Sequence, residues 1–86
     1  MIMNNKILVE IYVPTIEEEY DVFIPINKRV GTIKQIFEKL ISESSDNGYT
    51  VREDSNLYSK ETGLPYDVQL IIKDTDLKNG SKIVLI

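Results

Sequence analysis

The stretch TIKQIFEKLISES, Thr32 to Ser44, constrains this chain more than any other. Its apolar residues Ile33, Ile36, Phe37, Leu40 and Ile41 fall at i, i+3, i+4, i+7 and i+8, which places all five on one stripe of a helix. Lys34, Gln35, Glu38, Lys39 and Glu43 occupy the other side, and Lys34 with Glu38 has the i, i+4 spacing that supports a solvated helix face. Thr32 and Gln35 form a Thr-x-x-Gln capping box, so the helix is predicted to start there. Ser42, Ser44 and Ser45 weaken its end, and Asn47-Gly48 supplies a left-handed exit. Burying each apolar side chain contributes about 1.5 to 3 kcal/mol, whereas ordering each backbone residue costs about 1 to 2 kcal/mol. Such a helix needs a hydrophobic sheet to lie on.

With 86 residues, 42% of them apolar and 28% charged, the chain reads as one compact domain over 1–86. No apolar run approaches the roughly 18 residues of a membrane span, so no membrane insertion is expected. The opening MIMNNK lacks the basic segment and apolar run of a signal peptide, which makes the cytoplasm the expected location. Cysteine and histidine are both absent. That removes disulfides, thiol chemistry, a conventional zinc site and an imidazole base, and no cofactor or metal is expected. A net charge of −4 argues against nucleic acid as a partner, while a basic protein patch fits it better.

Lys6 to Val13 alternates as a strand, with Ile7, Val9, Ile11 and Val13 on the core face and Lys6, Leu8, Glu10 and Tyr12 on the other. Pro14 ends the run and Thr15 to Glu19 reads as an acidic loop. Tyr20 to Ile26 resumes alternation, placing Tyr20, Val22, Ile24 and Ile26 together and completing a hairpin. Pro14 and Pro25 lack an N–H and blunt an edge against further pairing. Val30 is an extra core contact before the helix. Ser45 to Asn56 is polar and turn-rich, a surface loop that Tyr49 and Val51 tuck down. Asn56 to Ser59 and Leu64 to Val68 are predicted to form a second, smaller hairpin around a turn with positive φ at Gly63, with Leu57 in the core. Leu70 and Ile72 are predicted to point inward, Asp74 to Lys78 to form one capped helical turn closed by Asn79-Gly80, and Lys82 to Ile86 to form the last strand.

This order resembles the ubiquitin-like β-grasp superfamily. The Thr32-Ile33-x-x-Ile36-x-x-x-Leu40 run is similar to the entry of the ubiquitin helix, and Ile72-x-Asp74-x-x-Leu77-x-Asn79-Gly80-x-x-Ile83-x-Leu85 is similar to the last turn and strand. The resemblance implies an α+β fold: a mixed four- to five-stranded sheet packed on one face by a single helix at about 32–44. Within the superfamily, the length, the LYSKETGLPYD segment and the KNGSKIVLI ending most resemble the small bacterial YukD/EsaB proteins, accessory cytoplasmic components of type VII secretion systems. The resemblance implies a non-enzymatic protein-interaction module whose partner is a protein, with a secretion-system component as the candidate. The alternative is a carrier or modifier β-grasp protein with a lost or processed tail, because those act through a C-terminal Gly-Gly that this sequence, stopping at Ile86, does not show.

Other chemistry has bland explanations. Asp74-Thr75-Asp76 with Asn79-Gly80 lacks the EF-hand ligand spacing and reads as a cap and a turn. Asn79-Gly80-Ser81 matches a glycosylation acceptor but reads as the same turn. Glu17, Glu18 and Glu19 have no catalytic counterpart near them, so they read as a solvated loop, with steering of a basic partner as the weaker alternative. Lys28-Arg29 likewise reads as a turn. If the strands are ordered as in ubiquitin, Leu8, Tyr12, Tyr58, Val84 and Ile86 converge on the sheet face away from the helix. Scattered exposed apolar residues are ordinary on protein surfaces, but several on adjacent strands make a patch. That face is the candidate protein-binding surface, for a partner or for a weak homodimer of an otherwise monomeric chain.

Overall fold

The computed structural model describes residues 5–44 and 48–86. The expected helix-stop residues Ser45 and Asn47 lie outside the described residues, as do residues 1–4 of the MIMNNK opening. The elements run β1 (Lys6–Val13), β2 (Glu18–Pro25), α1 (Val30–Ser44), β3 (Leu57–Ser59), a 3₁₀ turn (Ile72–Asp74) and β4 (Lys82–Leu85). They build one four-stranded sheet in the order β2-β1-β4-β3, with β1 and β4 parallel at its centre and both outer pairs antiparallel. This is the mixed sheet with one helix expected from the sequence, at the lower of the two strand numbers.

The core lies between α1 and one face of the sheet. Val9, Ile11 and Val13 of β1, Ile24 of β2, Leu57 of β3 and Ile83 and Leu85 of β4 meet Val30, Ile33, Phe37 and Ile41 of the helix. Tyr20 and Phe37 pack edge to face with ring centroids 5.4 Å apart. Ile72 and Leu77 close the end of this layer.

The helix departs from expectation in two ways. It starts at Val30, two residues before the predicted Thr32 cap, because its first donors find backbone partners far along the chain: Val30 N–H donates to Leu70 O (2.8 Å) and Gly31 N–H to Val68 O (3.0 Å). Its buried arc is also rotated about one position from the predicted stripe. Ile36 and Leu40, predicted as core, are 51% and 58% exposed, while Lys34 and Glu38, predicted on the solvated face, are buried. The sheet is narrow and the segment around 49–55 covers only the Lys34 flank, so polarity alone does not decide which side is inside.

Smaller differences follow from local chemistry. Glu18 and Glu19 join β2 instead of the acidic loop, which contracts to a turn with Glu17 at φ 54°. Pro14 flanks a central strand, so only Pro25 blunts an edge. The predicted second hairpin is reduced to β3 and a lone bridge between Tyr58 and Pro65, flanked by the bonds from Ser59 N–H to Leu64 O and from Tyr66 N–H to Leu57 O. Gly63 takes the expected positive φ, 77°. The helical turn lies at Ile72–Asp74, earlier than Asp74 to Lys78, and Leu70 and Val51 are exposed rather than tucked in.

Candidate protein-docking face

Alternation along β1 sends Leu8, Glu10 and Tyr12 to the side of the sheet that the helix leaves uncovered, and the pairing registers place their neighbours. Tyr12 lies beside Glu19 on β2 and Val84 on β4, and Val84 lies beside Tyr58 on β3. The first row across the sheet therefore reads Glu19, Tyr12, Val84, Tyr58, with its last three side chains half-buried. In the next row Asp21, Glu10 and Lys82 are in register, and Lys60, just past β3, continues it by donating its N–H to Lys82 O at 3.0 Å. The third row pairs Phe23 with Leu8.

The five residues singled out from the sequence thus divide. Tyr12, Val84 and Tyr58 are brought side by side. Leu8, 39% exposed, is separated from them by the charged row and adjoins Phe23, 67% exposed. Ile86 lies past the end of β4, where its N–H and carbonyl both pair with Asn56. Phe23 was missed by sequence reasoning, although its place between Val22 and Ile24 gives it the outward parity.

A second constellation lies on the helix flank. Glu38 Oε1 accepts from Lys34 Nζ at 2.9 Å, and Glu38 Oε2 accepts from the Tyr49 hydroxyl at 2.5 Å, the Ser55 hydroxyl at 2.9 Å and the Arg52 N–H at 3.4 Å. Lys34 also donates to Ser55 Oγ at 3.0 Å. Burial opposes ionisation of Glu38, but the bonds from Tyr49, Lys34, Ser55 and Arg52 outweigh it and hold the carboxyl below its ordinary value. Burial, and then the bond to Glu38, push the Tyr49 hydroxyl above its ordinary range. Among the described residues no buried side-chain nitrogen or oxygen is left without a partner, so this cluster is a clamp holding the 49–55 segment to α1.

Two open recesses are lined mostly by polar and charged side chains. One, of about 700 Å³, lies between the first turns of α1, residues 51–56 and Val68–Gln69. The other, of about 480 Å³, is bounded by Lys60, Tyr66, Asp76, Asn79, Gly80 and Lys82. Burial raises the Tyr66 hydroxyl there. The Asn79-Gly80 turn is structural: Leu8 N–H donates to Asn79 Oδ1 at 2.7 Å and Gly80 N–H to Leu8 O at 2.8 Å, prolonging the β1–β4 pairing. Among the described residues no group of three acidic side chains is placed to hold a metal ion, and no helix is long and apolar enough to cross a membrane.

No protein-family profile and no curated protein matches the chain by sequence. Solved structures do match it in shape. A chain of the MycP5-free ESX-5 inner membrane complex superposes with a TM-score of 0.78 at 13% identity over 96% of this chain, which spans 21% of that larger one. The ubiquitin-like domain of Arabidopsis thaliana protein At2g32350 gives a TM-score of 0.67 at 18% identity, covering 100% of this chain and 81% of the other. A chain of the toluene 4-monooxygenase HD complex gives 0.72 at 11% identity, covering 93% and 95%. Together with the sheet order and the single crossing helix, these likenesses identify the architecture as the ubiquitin-like β-grasp fold.

Proposed function

We propose that this chain is a non-enzymatic, cytoplasmic protein-interaction module that docks through the outer face of its sheet, and that it serves as an accessory component of a type VII secretion system. The observation that carries the docking surface is the row Tyr12, Val84, Tyr58 on three adjacent strands, two aromatic rings flanking a branched aliphatic on the side without a helix. Aromatic residues bury large area at small entropic cost and recur as interface anchors. Glu19 and the row from Asp21 to Lys60 provide a polar boundary of the kind that surrounds such anchors. The secretion role is supported by the resemblance of the LYSKETGLPYD and KNGSKIVLI segments to the small bacterial proteins of those systems and by the likeness to a chain of the ESX-5 complex. β-Grasp domains host many functions, so the fold alone does not carry this reading.

A photo-crosslinking amino acid placed at Tyr12, Tyr58 or, on the opposite surface, Leu40 tests it in the native cell. Adducts from Tyr12 and Tyr58, absent from Leu40 and lost in a folded Val84→Glu background, are expected. Their identification as secretion-system proteins supports the finer role. Adducts from Leu40 alone overturn the proposed surface.

A further inference from the structure

The second row of the outer face has a charge pattern that is antisymmetric about the β1–β4 boundary. Across the second row the β2–β1 half carries Asp21 and Glu10, and the β4–β3 half carries Lys82 and Lys60. Among the described residues the two ion pairs are Lys34–Glu38 and Arg52–Asp54, and neither includes any of these four.

We infer that this face is the contact between two copies of this chain, stacked about a two-fold axis that runs along the β1–β4 boundary in the plane of the interface. The inference rests on the reading of the outer face as a docking surface and names the occupant. A rotation about that axis exchanges the two halves of the sheet while keeping each row over itself. Asp21 of one copy is then set over Lys60 of the other and Glu10 over Lys82, with both pairings made twice, as an isologous contact requires. In the first row Tyr12 lands on Val84 and Glu19 on Tyr58, an acceptor over a phenolic hydroxyl. The same rotation carries Phe23 toward the recess bounded by Lys60, Asn79, Gly80 and Lys82. Strands of the two sheets remain close to parallel, the arrangement of aligned sheet packing.

The occupant follows from this registry. A rotation that leaves the rows in place converts every acidic position of the second row into the counterpart of a basic one, and in the first row Tyr12 and Val84 oppose one another. Four strands at about 4.8 Å spacing and their length give a face of roughly 400 Å² per copy, about half that of a standard stable interface. The dimer is therefore weak, concentration-dependent and sensitive to salt.

Charge exchange tests the geometry. One variant carries Glu10→Lys and Asp21→Lys, the other Lys60→Glu and Lys82→Glu; all four sites are on the sheet surface, and circular dichroism checks folding. Sedimentation velocity up to millimolar concentration is expected to show wild-type dimers whose dissociation constant rises about tenfold or more between low and high salt. Each variant alone is expected to be monomeric, because its second row faces like charge, and an equimolar mixture is expected to recover a heterodimer. The first variant is formally net neutral, so recovery cannot come from global attraction between oppositely charged proteins. A wild type that stays monomeric, a mixture that does not associate, or single variants that dimerise like the wild type overturns the two-copy contact. If these fail while crosslinks from Tyr12 and Tyr58 to another protein persist, docking through the face stands and the second copy is rejected; if those crosslinks are also absent, both fall.

Discussion

The two flanks of α1 invert the usual assignment of side chains. On one, Lys34 and Glu38 are buried under the 49–55 segment; on the other, Ile36 and Leu40 face solvent. Both pairs have i, i+4 spacing, and by residue type alone the apolar pair belongs inside. The difference lies in which flank receives a covering segment. That segment brings the Tyr49 and Ser55 hydroxyls and the Arg52 N–H to a carboxylate also held by Lys34, so each charge has partners in place of the water it gives up. Among the described residues no comparable cover reaches Ile36 and Leu40, and exposed apolar side chains are tolerated in water more cheaply than unpaired charges are tolerated inside.

Removing the centre of the clamp breaks this contrast most severely. Glu38→Ala leaves the Lys34 ammonium buried without its counter-charge and is expected to cost about 3 to 5 kcal/mol in urea unfolding at neutral pH. Glu38→Leu combined with Lys34→Met is expected to recover much of that loss, because two apolar side chains leave no orphaned charge there. If the double variant is as unstable as Glu38→Ala, the uncompensated charge is not the cause.

A smaller effect is expected from Tyr49→Phe, about 1.5 to 3 kcal/mol for one hydrogen bond to a charged acceptor. Burial of Tyr49 and the bonds that converge on Glu38 give the flank a pH signature at both ends. Glu38, depressed in the folded chain, contributes stability that is present above its ordinary value of 4.5 and is lost as pH falls below it. Tyr49, raised in the folded chain, contributes stability that is present below its ordinary value of 10.0 and is lost as pH rises above it. Thermal melting against pH should show a smaller alkaline loss in Tyr49→Phe than in the wild type, the remainder belonging to Tyr66, whose hydroxyl burial also raises. The smallest effect belongs to the other flank: Ile36→Gln or Leu40→Gln is expected to change stability by less than about 0.5 kcal/mol. A loss comparable to a core truncation at either position would remove the contrast.

Much of the sheet was legible because strand periodicity is local. Lys6–Val13 was bounded correctly, and Val9, Ile11, Val13, Ile83 and Leu85 face the core as alternation requires. The row Tyr12, Val84, Tyr58 needed in addition the strand order, which came from resemblance. What escaped the sequence depends on distant partners. An i, i+4 Lys–Glu pair has the same spacing in water and under a loop, so Lys34 and Glu38 could not announce the Tyr49 and Ser55 contacts. The helix start was misplaced because Thr32-x-x-Gln35 offers a local cap, while Val30 and Gly31 donate to carbonyls some forty positions away. Gly31 belongs to the same contact: a Cβ there would come within 3.3 Å of the Val68 Cβ.

That long-range cap and the central β1–β4 pair together order the making of the fold in time. A chain emerging from the ribosome as far as Ser44 contains the segments of the β2–β1 hairpin and of the helix. It has neither the Leu70 and Val68 carbonyls that receive the first helical N–H groups nor the strand that completes the sheet beside β1. Glu10 to Tyr12 then present an unpaired edge until Lys82 to Val84 arrive. Early segments wait for late ones, and completion of the sheet is set by the synthesis of β4 rather than by the helix that dominates the sequence pattern.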